Sequence, residues 1–273
     1  MGVERIRGLF EPGRSSGHGA LLPYLTLGFP DLGVTEALIR RCDALGVRVI
    51  EIGIPYSDSI ADGPMIQSSF NAALEAGVRP SDAFDLIARV RSDVSCALVA
   101  MVSFTVVHRV GVERFLKRAA ASGFDGVILP DLPLEEAAPV RAHVEREGLA
   151  MIGLVAPTTS DLRKREIAGM SSGFVYQIAH AGLTGERTGV NKRLAEDVLS
   201  LKASSGLPVC VGFGVSTPDH VREVCSFADG AIVGSAIVRR LTEGVETGLS
   251  RDELVAHVGG FVAELVEGTR PRP

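Results

Sequence analysis

Residues 209–235 carry Val209-Cys210-Val211-Gly212-Phe213-Gly214 and, past one helix-like stretch, Ala231-Ile232-Val233-Gly234-Ser235. Each segment is a short apolar run that breaks into glycine, as a buried strand does where it ends in a tight loop. Gly214, Gly234 and Ser235 thus fall just past two successive strand ends. Glycine lets the main chain approach an anion closely, so its N–H groups can hold a phosphate without a strongly basic surface. A phosphate site made by the loops after strands 7 and 8, with a helix N-terminus, recurs in closed α/β barrels. Taken singly, each glycine reads as a turn residue; two such ends in succession reinforce one another.

Working outward, six more apolar runs precede this pair: Leu22 to Leu27, Arg48 to Ile52, Ala97 to Val102, Gly126 to Leu129, Ala150 to Val155 and Phe174 to Ile178. With Val209 to Val211 and Ala231 to Val233 they predict eight strands. They are apolar almost throughout, the pattern of parallel strands covered on both faces. Between them lie stripes of helical period, such as Val34, Ala37, Leu38 and Leu45, or Val112, Phe115, Leu116 and Ala119. Near the end stands Val258, Phe261, Val262, Leu265 and Val266. Periodicity alone fits an open doubly wound sheet as well as a barrel. The first strand, however, runs into Leu27-Gly28-Phe29-Pro30-Asp31 rather than the G-x-G-x-x-G of a dinucleotide fold. The reading is therefore one (β/α)8 barrel over 1–273, with 1–20 a leading helix or arm and 269–273 a frayed tail. Val3, Ile6, Leu9 and Phe10 mark the stripe by which that helix is expected to cover the barrel floor.

Composition narrows the function classes. The chain is 46% hydrophobic and 22% charged, a mix that supports a packed core and argues against disorder. A net charge of -5 gives no basic footprint for nucleic acid or an anionic membrane, so an anionic ligand needs a local site. No apolar run is long enough for a membrane helix, and Met1 to Ala20 lacks a signal-peptide core, so a cytoplasmic location is expected. Cys42, Cys96, Cys210 and Cys225 lie in apolar segments without C-x-x-C spacing and read as buried thiols. The histidines show no metal spacing, and neither a metal nor an organic cofactor is expected.

The densest motif follows the second strand: Glu51-Ile52-Gly53-Ile54-Pro55-Tyr56-Ser57-Asp58-Ser59-Ile60-Ala61-Asp62-Gly63-Pro64-Met65-Ile66-Gln67. It resembles the signature E-[LI]-G-x-P-[FY]-S-D-P-x-A-D-G-P-x-I-Q of the tryptophan synthase alpha chain family. Leu22 to Gly28, Leu129-Pro130-Asp131-Leu132-Pro133, Gly182-Leu183-Thr184-Gly185, Gly212-Phe213-Gly214 and Gly234-Ser235 match the same family in order. The resemblance implies cleavage of indole-3-glycerol phosphate into indole and glyceraldehyde 3-phosphate, and a beta chain as partner in a heterotetramer.

That reaction is a retro-aldol cleavage. The ring carbon must gain a proton and the neighbouring hydroxyl must lose one, which calls for a carboxyl acting as acid and base. Glu51, at the end of the apolar run Val47-Arg48-Val49-Ile50-Glu51, is placed for this, with a pKa expected to rise on burial. Alone, Asp62-Gly63-Pro64 reads as a turn; the resemblance assigns Asp62 the indole N–H, where positive charge builds. It also implies Tyr176 as an active-site tyrosine, Tyr24 and Leu129 as walls of the indole slot, and Gly185 beside Gly214, Gly234 and Ser235 at the phosphate. Thr184, in the long glycine-rich segment Ala179 to Val190, is implied to tie a closing loop to Asp62.

The departures cluster. Ser59 stands where the family usually has proline, in the loop that meets the beta chain; Met101-Val102-Ser103-Phe104-Thr105 replaces M-x-Y-x-N, and His180 replaces arginine. They leave open a stand-alone lyase without a beta partner, or a non-catalytic regulatory subunit. Lys117, Lys164, Lys192 and Lys202 all fall outside the strands, which disfavours a Schiff-base aldolase.

Overall fold

The computed structural model of the protein describes residues 2–16, 18–57, 59, 62–179 and 188–270, with backbone alone at 12–16 and 188–191. The strands are β1 Ala20–Thr26, β2 Val49–Gly53, β3 Ala97–Met101, β4 Gly126–Ile128, β5 Ala150–Val155, β6 Val175–Ile178, β7 Val209–Gly212 and β8 Gly230–Val233. Each pairs in parallel with the next, and β8 returns to β1, so the sheet closes into a barrel. Around it run α1 Gly2–Ser16, α2 Leu32–Ala44, α3 Pro64–Glu75, α4 Pro80–Val90, α5 Phe104–Val110 and α6 Val112–Ser122. The second half adds α7 Ala137–Arg146, α8 Asp161–Met170, α9 Thr188–Ser205, α10 Pro218–Cys225, α11 Ser235–Glu246 and α12 Arg251–Gly268. All eight expected strands are present, with ends displaced by at most two residues.

Their apolarity has a plain cause. Leu22, Val49, Val99, Ile128, Ile152 and Ile232 meet inside the barrel, while their neighbours Leu21, Ile50, Leu98, Val127, Met151 and Ala231 pack under the helices. With both faces buried, both sets of alternate positions are mostly apolar.

The leading stripe does what its spacing predicts. Ile6 and Phe10 are buried among the inward side chains, with the Phe10 and Phe174 rings 5.9 Å apart. At the N-terminal ends of the strands, Arg5 pairs with Asp125 at 3.0 Å just before β4, and Arg48 donates to the Leu9 carbonyl at 2.9 Å just before β2. The helix therefore closes this end of the barrel and leaves the other end for a ligand.

The tail differs from expectation at its first residues. Thr269 is buried, and its carbonyl accepts from the Gly19 N–H at 3.0 Å, so it is fastened to the start of β1 rather than frayed. Residues 271–273 lie outside the described residues. Among the described residues no helix is long and apolar enough to cross a membrane.

Candidate active site

Glu51 sits within β2, in register with Tyr24 of β1 and Val99 of β3. The expectation of a carboxylate at the strand's very end is corrected here, because the ladder runs on to Gly53. Its side chain belongs to the inward set and is 1% exposed, and neither carboxyl oxygen has a hydrogen-bond partner among the described residues. Desolvation penalises the charged form, and burial pushes this carboxyl up to about 8. A carboxylic acid that is neutral at neutral pH can give a proton first and take one afterwards.

Two tyrosines flank it. Tyr24 on β1 is buried with its hydroxyl unpartnered, and Tyr176 on β6 is buried with its ring 6.4 Å from that of Phe213. Burial, and then the charge of Glu51, hold the Tyr176 hydroxyl well above its ordinary range, so it stays protonated. Both rings lie over glycine: a Cβ on Gly53 would stand 1.9 Å from the Tyr24 hydroxyl, and one on Gly212 would stand 2.3 Å from that of Tyr176. No larger residue at these strand ends leaves the rings where they are.

Asp62 comes from the segment between β2 and α3. The side-chain amide of Gln67, on the first turn of α3, donates to the carbonyls of Asp62 at 2.7 Å and Ser59 at 3.0 Å, while the Asp62 N–H reaches the Ser59 carbonyl at 3.0 Å. The Tyr56 hydroxyl donates to Asp62 Oδ2 at 3.3 Å. Burial raises the Asp62 carboxyl and the Tyr56 bond lowers it. Ser59 is itself buried, and its carbonyl is held inside the loop's own network.

Glu51, Tyr24, Tyr176 and Asp62 line one cavity of about 260 Å³ with Ile66, Met101 and Ile232 as apolar wall. The rest of its lining comes from Phe213, Gly214 and Ser216 after β7, and from Gly234, Ser235, Ala236 and Arg239 at the start of α11. The first N–H groups of a helix have no partner within it, and its dipole favours an anion there. Arg239 lies one turn past Ser235 on the same face of α11 and adds a full positive charge. The cavity thus combines apolar wall and two carboxyls with a helix N-terminus and an arginine that suit an anion. Among the described residues no three His, Cys, Asp or Glu side chains gather as a metal site requires.

Most of the expected site is brought together: Glu51, Asp62, Tyr24, Tyr176, Gly214, Gly234 and Ser235 share the cavity. Leu129 does not. It packs in the outer layer beneath the helices, whereas its neighbour Ile128 faces the barrel interior, as the period of two requires. Thr184 and Gly185 lie outside the described residues, as does His180. Tyr56, Phe213 and Arg239 were not foreseen as site residues. Phe213 was signalled by its place between two glycines, where it takes a φ of +75° that side chains seldom adopt. Arg239 was signalled by its i,i+4 spacing from Ser235.

A family model described as tryptophan synthase alpha chain matches residues 10–263. The tryptophan synthase alpha chain of Synechococcus sp. (strain CC9902) is 42% identical over 257 residues, covering 94% of each chain. That of Chloroflexus aggregans (strain MD-66 / DSM 9485) is 41% identical over 268 residues, covering 98% of each. Among solved structures, tryptophan synthase subunit alpha from Legionella pneumophila str. Paris superposes with a TM-score of 0.87 at 31% identity, over 97% of this chain and 98% of that one. A chain of Mycobacterium tuberculosis tryptophan synthase does so with a TM-score of 0.87 at 35% identity, over 98% and 99%.

Proposed function

The chain belongs to the tryptophan synthase alpha chain family, and from that premise we propose that it cleaves indole-3-glycerol phosphate into indole and glyceraldehyde 3-phosphate, with Glu51 as the acid and base of the reaction. The observation that carries this reading is a buried carboxyl, raised to about 8, that lines one cavity with Asp62 and with a helix N-terminus and arginine suited to a phosphate.

Neutral Glu51 donates its proton to the ring carbon that bears the side chain. The positive charge this creates spreads to the ring nitrogen, whose N–H is held by the Asp62 carboxylate. The bond from ring to side chain then breaks, its electron pair restores the aromatic ring, and the neighbouring hydroxyl becomes an aldehyde as it returns its proton to Glu51. One proton is given and one recovered. Tyr176 supports the substrate beside Glu51, and Tyr24 walls the ring. Gly214, Gly234 and Ser235 bind the phosphate. Gly185 would add to that cradle, and Thr184 would couple a closing loop to Asp62.

A beta chain is the proposed partner, and the cytoplasm, where free thiols such as Cys42 and Cys96 persist, the proposed location. The departure at Ser59 from the usual proline favours keeping a stand-alone lyase as the second reading. The test is indole release from indole-3-glycerol phosphate by the purified chain, repeated with a tryptophan synthase beta chain. Slow release that rises many-fold with the partner is expected. Fast release by the chain alone points to the stand-alone lyase, and none in either assay to a regulatory subunit. Glu51→Gln is expected to lower turnover by about 10²- to 10⁴-fold with little change in binding; full activity in that variant removes Glu51 from the chemistry.

A further inference from the structure

We infer that Tyr56 is a positioning residue whose hydroxyl holds the Asp62 carboxylate by one oxygen and leaves the other turned to the ligand's ring nitrogen. This rests on the reading of Asp62 given above.

The hydroxyl donates to Asp62 Oδ2 at 3.3 Å, and no other side-chain donor to that carboxylate is found among the described residues. The remainder of the local network acts on backbone: Gln67 grips the Asp62 carbonyl and Ser59 takes the Asp62 N–H. These bonds locate the residue but leave its side-chain torsions free. An aspartate following a loop and preceding a helix has more than one staggered rotamer available. A donor on one oxygen selects among them. Tyr56 is itself anchored, with its ring 5.5 Å from that of Phe70 on α3, so the hydroxyl projects from a wall rather than from a mobile side chain.

The electrostatics support the geometry. Burial, then the charge of Asp62, then that of Asp131, keep the Tyr56 hydroxyl protonated and hence a donor at any working pH. In return its bond lowers the Asp62 carboxyl against the rise due to burial. The other titratable or charged groups lining the cavity with Asp62 are Glu51 from β2, Tyr24 from β1, Tyr176 from β6 and Arg239 from α11. Removal of the hydroxyl therefore raises the Asp62 pKa and lets the carboxylate turn away. Asp62 is needed ionised, so the acid limb of the rate profile should move to higher pH. The alkaline limb, set by Glu51, should stay in place.

Tyr56→Phe keeps the ring and removes only the hydroxyl. In the full-length chain, kcat for indole release is expected to fall about 10-fold, the loss of one hydrogen bond to a charged group. KM is expected to change much less, because the charge that Asp62 meets exists mainly in the transition state. Carboxyl NMR, with Asp62→Asn identifying the resonance, is expected to show Asp62 titrating at higher pH in Tyr56→Phe than in the parent. An unmoved Asp62 titration with an unmoved acid limb overturns the inference. If the parent chain releases no indole, the proposed function fails, while the Asp62 titration still decides whether Tyr56 governs that carboxylate.

Discussion

Both Glu51 oxygens are cut off from water and from any donor among the described residues, and a buried polar group left in that state is destabilising by about 1–3 kcal/mol even when neutral. Its titration adds a pH dependence. Below the ordinary carboxyl value of 4.5 the folded and unfolded chains both hold the proton. Between 4.5 and about 8 the unfolded chain releases it and the folded chain keeps it, so stability falls across that window and the loss is complete above it. The displacement corresponds to an effect on the order of 5 kcal/mol. Glu51→Gln is therefore expected to be more stable than the parent at pH 9 and close to it at pH 4, as read by denaturant unfolding at the two values. Equal stability at pH 9 would mean that the carboxyl is compensated in solution. The identity of this residue, and of Asp62, was readable in the chain because both lie within one ordered motif. Their setting was not. Whether Glu51 is at the rim or deep in the barrel depends on how far the β2 ladder continues, and whether position 128 or 129 faces inward depends on where β4 begins. Both are decided by pairing with neighbours remote in sequence.

At the level of elements, legibility followed burial. A strand covered on both faces is apolar almost throughout, so all eight runs stood out from the helical stripes between them. The leading helix was legible by the same logic, since Val3, Ile6, Leu9 and Phe10 form one stripe. What the stripe could not reveal is how the helix is clamped: by Arg5 on Asp125 and by Arg48 on the Leu9 carbonyl. Ile6 is fully buried in the barrel floor and is not among the residues that line the cavity. Ile6→Ala is expected to lower stability by about 2–4 kcal/mol through the void it leaves, measured by urea unfolding, while KM for indole-3-glycerol phosphate stays as in the parent. A raised KM with unchanged stability would show that the floor and the mouth are not independent. The fastening of Thr269 to Gly19 was invisible to pattern reading, because a main-chain bond between the chain's two ends leaves no mark in side-chain type.

For the whole molecule, a net charge of -5 repels the phosphate-bearing ligand proposed for the cavity. Binding must then come from a few local groups: the N–H groups at the start of α11, the glycines beside them, and Arg239. Such a ligand binds the folded chain alone and should stabilise it by mass action. Glyceraldehyde 3-phosphate at 100 times its Kd is expected to add about 2.7 kcal/mol to the free energy of unfolding, and a midpoint indifferent to its concentration would argue against the anion site. The same architecture also sets a rule of traffic. With Ile6 and Phe10 stoppering one end of the barrel, the described residues leave the other end for a substrate to enter and its fragments to leave. Each fragment then queues for the doorway that the next substrate needs. Accumulating product would then compete with fresh substrate for the same mouth.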